Sequence, residues 1–158
     1  MYKFIVLSLS LLGCTDGSHK TPNQPKAMED VEIKSVEILS SGGELGYHTR
    51  ILINKDSTHY KQTVAANPGN NSEYHKKTSP QDWKILIAKI DLVEFKASEE
   101  GKSVQPVDGI DTKISIVSNR DTTSKVNAYH STVWKKIFEY VYYTSKPAFP
   151  RHPREDTK

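Results

Sequence analysis

The chain has 158 residues, with 22 Lys and Arg against 19 Asp and Glu and a single cysteine, Cys14. That length suits one domain with its own core, and one thiol excludes an internal disulfide or a cysteine-based zinc site. The small basic excess is spread along the chain, which argues for a solvated surface of mixed sign and against a nucleic-acid partner.

In chain order, the first feature is Lys3 followed by the apolar run Phe4 to Leu12. The run is too short to span a bilayer as a helix, which takes roughly 20 apolar residues, but it has the length of a signal-peptide core. It ends in Leu11-Leu12-Gly13-Cys14, which resembles the lipobox of bacterial lipoproteins. The resemblance implies cleavage after residue 13, with a diacylglycerol and fatty acyl chains on Cys14 as the lipid anchor. Two or more acyl chains give stable attachment where one is marginal. The residue after the cysteine is Thr15 rather than Asp. By the sorting rule of some Gram-negative lipoproteins this implies the outer membrane, with the domain in the periplasm or at the surface. The alternative reading is an ordinary secretory signal with a cysteine near the cut. Removing Lys3 from the 22 Lys and Arg leaves 21 against 19 acidic residues.

Residues 14–29 are polar and carry Pro22 and Pro25, a composition that cannot bury enough surface to offset its ordering entropy. They read as a flexible tether. Residues 144–158, with Pro147, Pro150 and Pro153, read as a disordered tail. The domain is expected over residues 30–143.

Within it, Val31 to Ile38 alternates apolar and polar but changes phase near Ser35, which predicts a strand with a bulge there. Ser40-Ser41-Gly42-Gly43 reads as a turn. Tyr47, Thr49, Ile51 and Ile53 mark one face of a strand ending at Asn54, and Asn54-Lys55-Asp56-Ser57 leads into a second strand to Val64. A loop of two or four residues gives the same register, Ile51 opposite Tyr60 and Tyr47 opposite Val64, which unites the apolar face. Ala65 to Lys77 contains Asn67-Pro68-Gly69-Asn70-Asn71 and reads as an exposed loop.

Ser79-Pro80-Gln81-Asp82 is a helix start: Ser79 caps, proline suits the first helical position, and a carboxylate follows. Trp83, Leu86, Ile87 and Ile90 continue at helical spacing. Leu92 to Phe95 reads as a short extended piece and Ala97 to Gly109 as a loop. Asp111 to Ser118 and Ser124 to Ala128 read as a hairpin, with Ile116 opposite Val126 and Ile114 opposite Ala128 across an odd-numbered loop. Val133, Ile137 and Val141 form a helical stripe with Trp134 and Phe138 beside it. Ser131 or Thr132 caps this helix, and it is expected to end near Tyr143. Hairpins and helices in this order imply an α+β fold, an antiparallel sheet with two helices packed on one face.

The stretch Tyr47 to Thr63, the helix opening at Ser79 with Trp83, the aromatic Phe95, and Asp108-Gly109 before a strand resemble an uncharacterised domain family of envelope lipoproteins. The resemblance spans about Val31 to Tyr143 and supports the α+β fold. It implies no catalytic residue and no cofactor.

For chemistry, histidine is the first candidate. In the hairpin register His48 and His59 share the face opposite the core but stand about 13 Å apart at 3.3 Å per residue. They are too distant to chelate one zinc, whose ligand nitrogens lie 2.0–2.1 Å from the metal. Asp108-Gly109-Ile110-Asp111 offers too few oxygens for calcium and reads as a turn. Trp83 and Trp134 lie on apolar stripes and read as core. Of Tyr140, Tyr142 and Tyr143, at least one is expected to be exposed as a partner contact. No Gly-x-Ser-x-Gly elbow, His-Glu-x-x-His or phosphate-binding loop occurs.

These features point to a non-enzymatic binding or accessory module held at the membrane. Its expected partner is an envelope protein, peptide or glycan, and the exposed sheet-face residues His48, Arg50 and Lys61 are its candidate contacts. The alternative is an envelope hydrolase with a dispersed site using His130 and Asp111.

Overall fold

The computed structural model describes residues 31–145. Lipidation at Cys14, the tether and all of the tail beyond Ser145 lie outside the described residues. Six antiparallel strands form one sheet, β1 (Ile33–Gly42), β2 (Tyr47–Asn54), β3 (Ser57–Val64), β4 (Ser72–Lys77), β5 (Ile110–Ser118) and β6 (Thr122–Val126), in the order β4-β3-β2-β1-β5-β6. Three α-helices, α1 (Pro80–Ala88), α2 (Leu92–Ala97) and α3 (Thr132–Ser145), and two single 3-10 turns at Pro68–Asn70 and Gln105–Val107 accompany the sheet. The fold is α+β, as expected.

One face of the sheet is buried. Val36 and Ile38 of β1, Ile51 and Ile53 of β2, Tyr60 of β3, and Ile114 and Ile116 of β5 join Leu86 of α1, Phe95 of α2 and Val133, Trp134, Ile137 and Val141 of α3 in a single core. Strands β1, β2, β3 and β5 contribute alternate residues and each helix one stripe, so all three helices serve the same face. Burying a side chain of this size contributes about 1.5–3 kcal/mol.

The β2–β3 register agrees with expectation: Ile51 faces Tyr60 and Tyr47 faces Val64. Asn54 holds the turn, its Oδ1 accepting from the amides of Asp56 and Ser57 at 2.9 and 2.7 Å. The bulge also appears in place, the β1–β5 pairing shifting between Ile33 and Ser35. Ser79 caps α1, accepting from the Asp82 amide at 3.0 Å. Ser131 caps α3, accepting from the Trp134 amide at 3.2 Å.

Five expectations are corrected. Strand β1 runs on through Ser40, Ser41 and Gly42, and the turn begins at Gly43. Ser72–Lys77 is not loop but edge strand β4, paired with β3 and stacking Tyr74 on Tyr60 at 5.2 Å. Leu92–Ala97 is helical because Asp91 accepts from the amides of Val93 and Glu94, both at 2.9 Å, and so caps a turn that buries Phe95. The β5–β6 hairpin closes on the two residues Asn119 and Arg120, with the Ser118 amide donating to the Asp121 carbonyl at 2.8 Å. The even loop moves the register by three residues, an odd number, so Ile116 faces Thr123, Ile114 faces Lys125, and Val126 sits opposite Lys113 on the other face. Lastly, α3 runs two residues past Tyr143 and buries Ser145.

Candidate functional site

The buried face of the sheet changes character from one row of side chains to the next. The row Tyr60, Ile51, Ile38, Ile114 crosses β3, β2, β1 and β5 and is wholly covered. Two residues further along each strand, the equivalent row is Gln62, Thr49, Ser40, Thr112. Strands lie about 4.8 Å apart, so this row is a ladder of uncharged hydrogen-bonding groups at that spacing. The Ser40 and Thr112 hydroxyls bond to each other at 3.0 Å. That contact uses one of their two protons and leaves the other to give. Gln62 Oε1 accepts from the Tyr60 hydroxyl at 2.9 Å, which turns the amide nitrogen away from Tyr60.

Above this row lies a cleft of about 370 Å³, inside the range of small-molecule sites. Tyr47, which opens β2, and Tyr129, which follows β6, line it together with Phe138 and Tyr142 of α3. Ile38, Ile51 and Ile110 complete the lining. None of the lining residues is Asp, Glu, Lys, Arg or His, so the cleft carries no ionised side chain at neutral pH.

Helical spacing builds one wall. Trp134, Phe138 and Tyr142 recur every four residues on α3. Their rings stack in turn, Trp134 on Phe138 and Phe138 on Tyr142, each with centroids 5.3 Å apart. Tyr129 meets Trp134 edge-on at 4.6 Å. Trp134 is fully buried, so the ladder is rooted in the core, while Tyr143 at its outer end is 77 % exposed. Tyr140 instead turns toward α1 and donates to the Asp82 carbonyl at 3.0 Å.

The residues singled out from sequence lie elsewhere. His48, Arg50 and Lys61 all project from the open face of the sheet and are exposed. Arg50 and Lys61 are direct cross-strand neighbours, and His48 is the next residue of β2 on that face. Arg50 Nε donates to Glu37 Oε1 at 2.6 Å, and Lys61 pairs with Glu73 at 3.2 Å. Surface pairs of this kind contribute about 0–1 kcal/mol.

His130 and Asp111 do not meet in a hydrogen bond. The Asp111 carboxylate accepts from Ser103 Oγ, the Val104 amide and Asn127 Nδ2, at 2.6, 2.8 and 2.8 Å. Those bonds, that of Ser103 foremost, hold its pKa below the ordinary value. His130 lines a separate shallow depression with Glu94, Ser98 and Ser131.

Sequence reading missed the cleft because its lining comes from four strands, one loop and one helix. The single visible signal was the run of Thr49, Ser40 and Thr112 at inward-facing positions of otherwise apolar strands.

Among the described residues no helix is long and apolar enough to cross a membrane. No protein-family model matches the chain, and no curated protein is similar to it.

Proposed function

We propose that this chain is a lipid-anchored envelope lipoprotein of the outer membrane, and that it acts as a non-enzymatic binding module. Its ligand, on this reading, sits in the cleft between the sheet and α3. The observation that carries the reading is the cleft lining: a row of hydroxyl and amide groups walled by aromatic rings, with no ionised side chain. A hydrolase needs a general base within hydrogen-bond reach of its proton, and none of the lining residues supplies one. Aromatic walls beside uncharged donors and acceptors suit a neutral ligand with hydroxyl groups along an apolar body. A short neutral glycan fits that chemistry better than a charged peptide does. Lipid on Cys14 would hold the domain near the membrane without embedding it.

The cleft is tested with Thr49→Trp, which fills its floor. Binding of neutral oligosaccharides, followed by heteronuclear NMR, is expected in the parent protein and lost in the variant, with the fold intact by circular dichroism. Retention of binding in the filled variant, or binding confined to charged peptides, would sink the assignment. For the anchor, Cys14→Ala is expected to release the protein from the membrane fraction. A variant that still sediments with membranes would end the lipoprotein reading.

A further inference from the structure

We propose that His59 and His75 form a cross-strand chelating pair for a divalent transition-metal ion with an affinity for imidazole, copper(II) foremost. The two residues are directly opposed in the β3–β4 register, on the open face of the sheet and away from the cleft. Their Nδ1 atoms face each other at 2.5 Å, with ring centroids 4.3 Å apart and planes at 89°.

An oxygen stands beyond Nε2 of each ring. His59 Nε2 lies 3.2 Å from Ser57 Oγ, and His75 Nε2 lies 3.7 Å from Glu73 Oε1. Oxygens beyond Nε2 are the kind of partner that orients an imidazole binding metal through Nδ1. The two Nδ1 atoms share one hydrogen bond, one ring donating and the other accepting. A divalent cation displaces that single proton and gains two coordinate bonds.

The geometry needs little change. Nitrogens bound cis at about 2.0 Å to a tetragonal copper(II) ion are about 2.8 Å apart, and on a tetrahedral ion about 3.3 Å. The pair therefore has to open by under about 1 Å, which small rotations of two partly exposed side chains supply. Opposed residues on antiparallel strands have Cβ atoms about 4.5–5.5 Å apart, so the backbone already sets the chelate span.

Among the described residues no three metal-ligating side chains converge, and Glu73 is engaged by Lys61 at 3.2 Å. Water therefore completes the coordination shell, which makes the site open and its metal exchangeable. Imidazole ligands exclude magnesium and calcium, which take oxygen, and among divalent first-row ions copper(II) binds such sites most tightly.

The test uses the full chain carrying Cys14→Ser, which removes the only thiol, titrated with copper(II) and followed by calorimetry and electron paramagnetic resonance. One equivalent with two-nitrogen coupling is expected. His59→Gln and His75→Gln should each weaken it by at least about tenfold, a ligand being worth no less than its supporting partner. His48→Gln, on the same face but outside the pair, should leave it unchanged. Copper should also slow amide hydrogen exchange in β4, because the ion ties the edge strand to β3. Equal copper affinity in parent and His59→Gln would overturn the proposal. So would two rings that share a proton in NMR titration and do not respond to copper. Unchanged melting temperatures of the metal-free variants show that the fold survives each substitution.

Discussion

Phe138 and Tyr142 stand one helical turn apart on α3 with their rings stacked at 5.3 Å, and together they form the helix-side wall of the cleft. Phe138 also stacks on the buried Trp134, so it couples the wall to the core. Truncation of a fully buried phenylalanine costs about 3–5 kcal/mol, and a half-buried one less. Phe138→Ala is expected to cost about 2 kcal/mol in urea unfolding, with Phe138→Leu below about 1 kcal/mol. A loss no larger than that of an exposed-site control would show that the ladder does not brace the helix.

Asn127 and Thr112 tie the end of β6 to β5. The Asn127 amide donates to the Thr112 carbonyl, and Asn127 Oδ1 accepts from the Thr112 amide at 2.7 Å. Asn127 Nδ2 donates to Lys102 O and Asp111 Oδ1 at 3.0 and 2.8 Å, from a backbone at φ 49°. Asparagine tolerates that left-handed conformation better than most residues. Asn127→Ala leaves the buried Thr112 amide and two part-buried acceptors unmet and is expected to cost about 2–4 kcal/mol. Asn127→Asp keeps the shape but loses both Nδ2 donors and sets a second carboxylate against Asp111. It should therefore be nearly as unstable as the alanine variant. Thermal melts that leave the aspartate variant near wild type would contradict this account.

Gly42 ends β1 at φ 121°, and a Cβ there would lie 2.3 Å from the Gly109 carbonyl oxygen. That oxygen accepts the Gly43 amide at 3.0 Å, so it cannot withdraw without breaking the junction between the β1–β2 turn and β5. Gly42→Ala is expected to destabilise by more than about 2 kcal/mol. Gly69→Ala, at an exposed turn with ordinary φ and its nearest neighbour at 3.3 Å, should change stability far less. Denaturant midpoints of the two variants check the contrast.

Asp111 and Asp121, along with Glu32, contribute to the acid limb of stability. Hydrogen bonds, those from Ser103 to Asp111 and from Lys96 to Asp121 foremost, hold both carboxyls below the ordinary 3.8. A folded-state pKa lowered in this way contributes stability that is present above pH 3.8 and lost as pH falls through the lowered value. The melting temperature should therefore drop on acidification below about pH 4. Asp111→Asn cannot change charge. Its deficit relative to wild type should shrink between pH 7 and the acid range, and an unchanged deficit would contradict this.

Much of the fold was legible in the chain because local rules settled it. The β2–β3 register followed from alternating apolar residues and an even loop, and α1 from Ser79-Pro80. The course of α3 followed from Val133, Ile137 and Val141. Helix α2 is also encoded locally, since Asp91-Leu92-Val93-Glu94 is a helix-start pattern, but its short apolar run fits an extended piece equally well.

The candidate sites were less legible. Alternation and loop parity by themselves placed His48, Arg50 and Lys61 together on the open face, since a strand's period of two allows no other outcome once one face is buried. They could not show that Glu37 and Glu73 pair with the two cations. Nor could they turn Ser72–Lys77 into a strand, because that segment has a single inward aromatic, Tyr74, and no apolar alternation. It becomes β4 only because the edge of β3 presents unpaired backbone groups and Tyr60 offers a ring to stack on. The His59–His75 pair exists only through that docking. The cleft likewise depends on where α3 crosses the sheet, covering the isoleucine row and leaving the hydroxyl row beside it, and that crossing is set by packing between residues far apart in the chain.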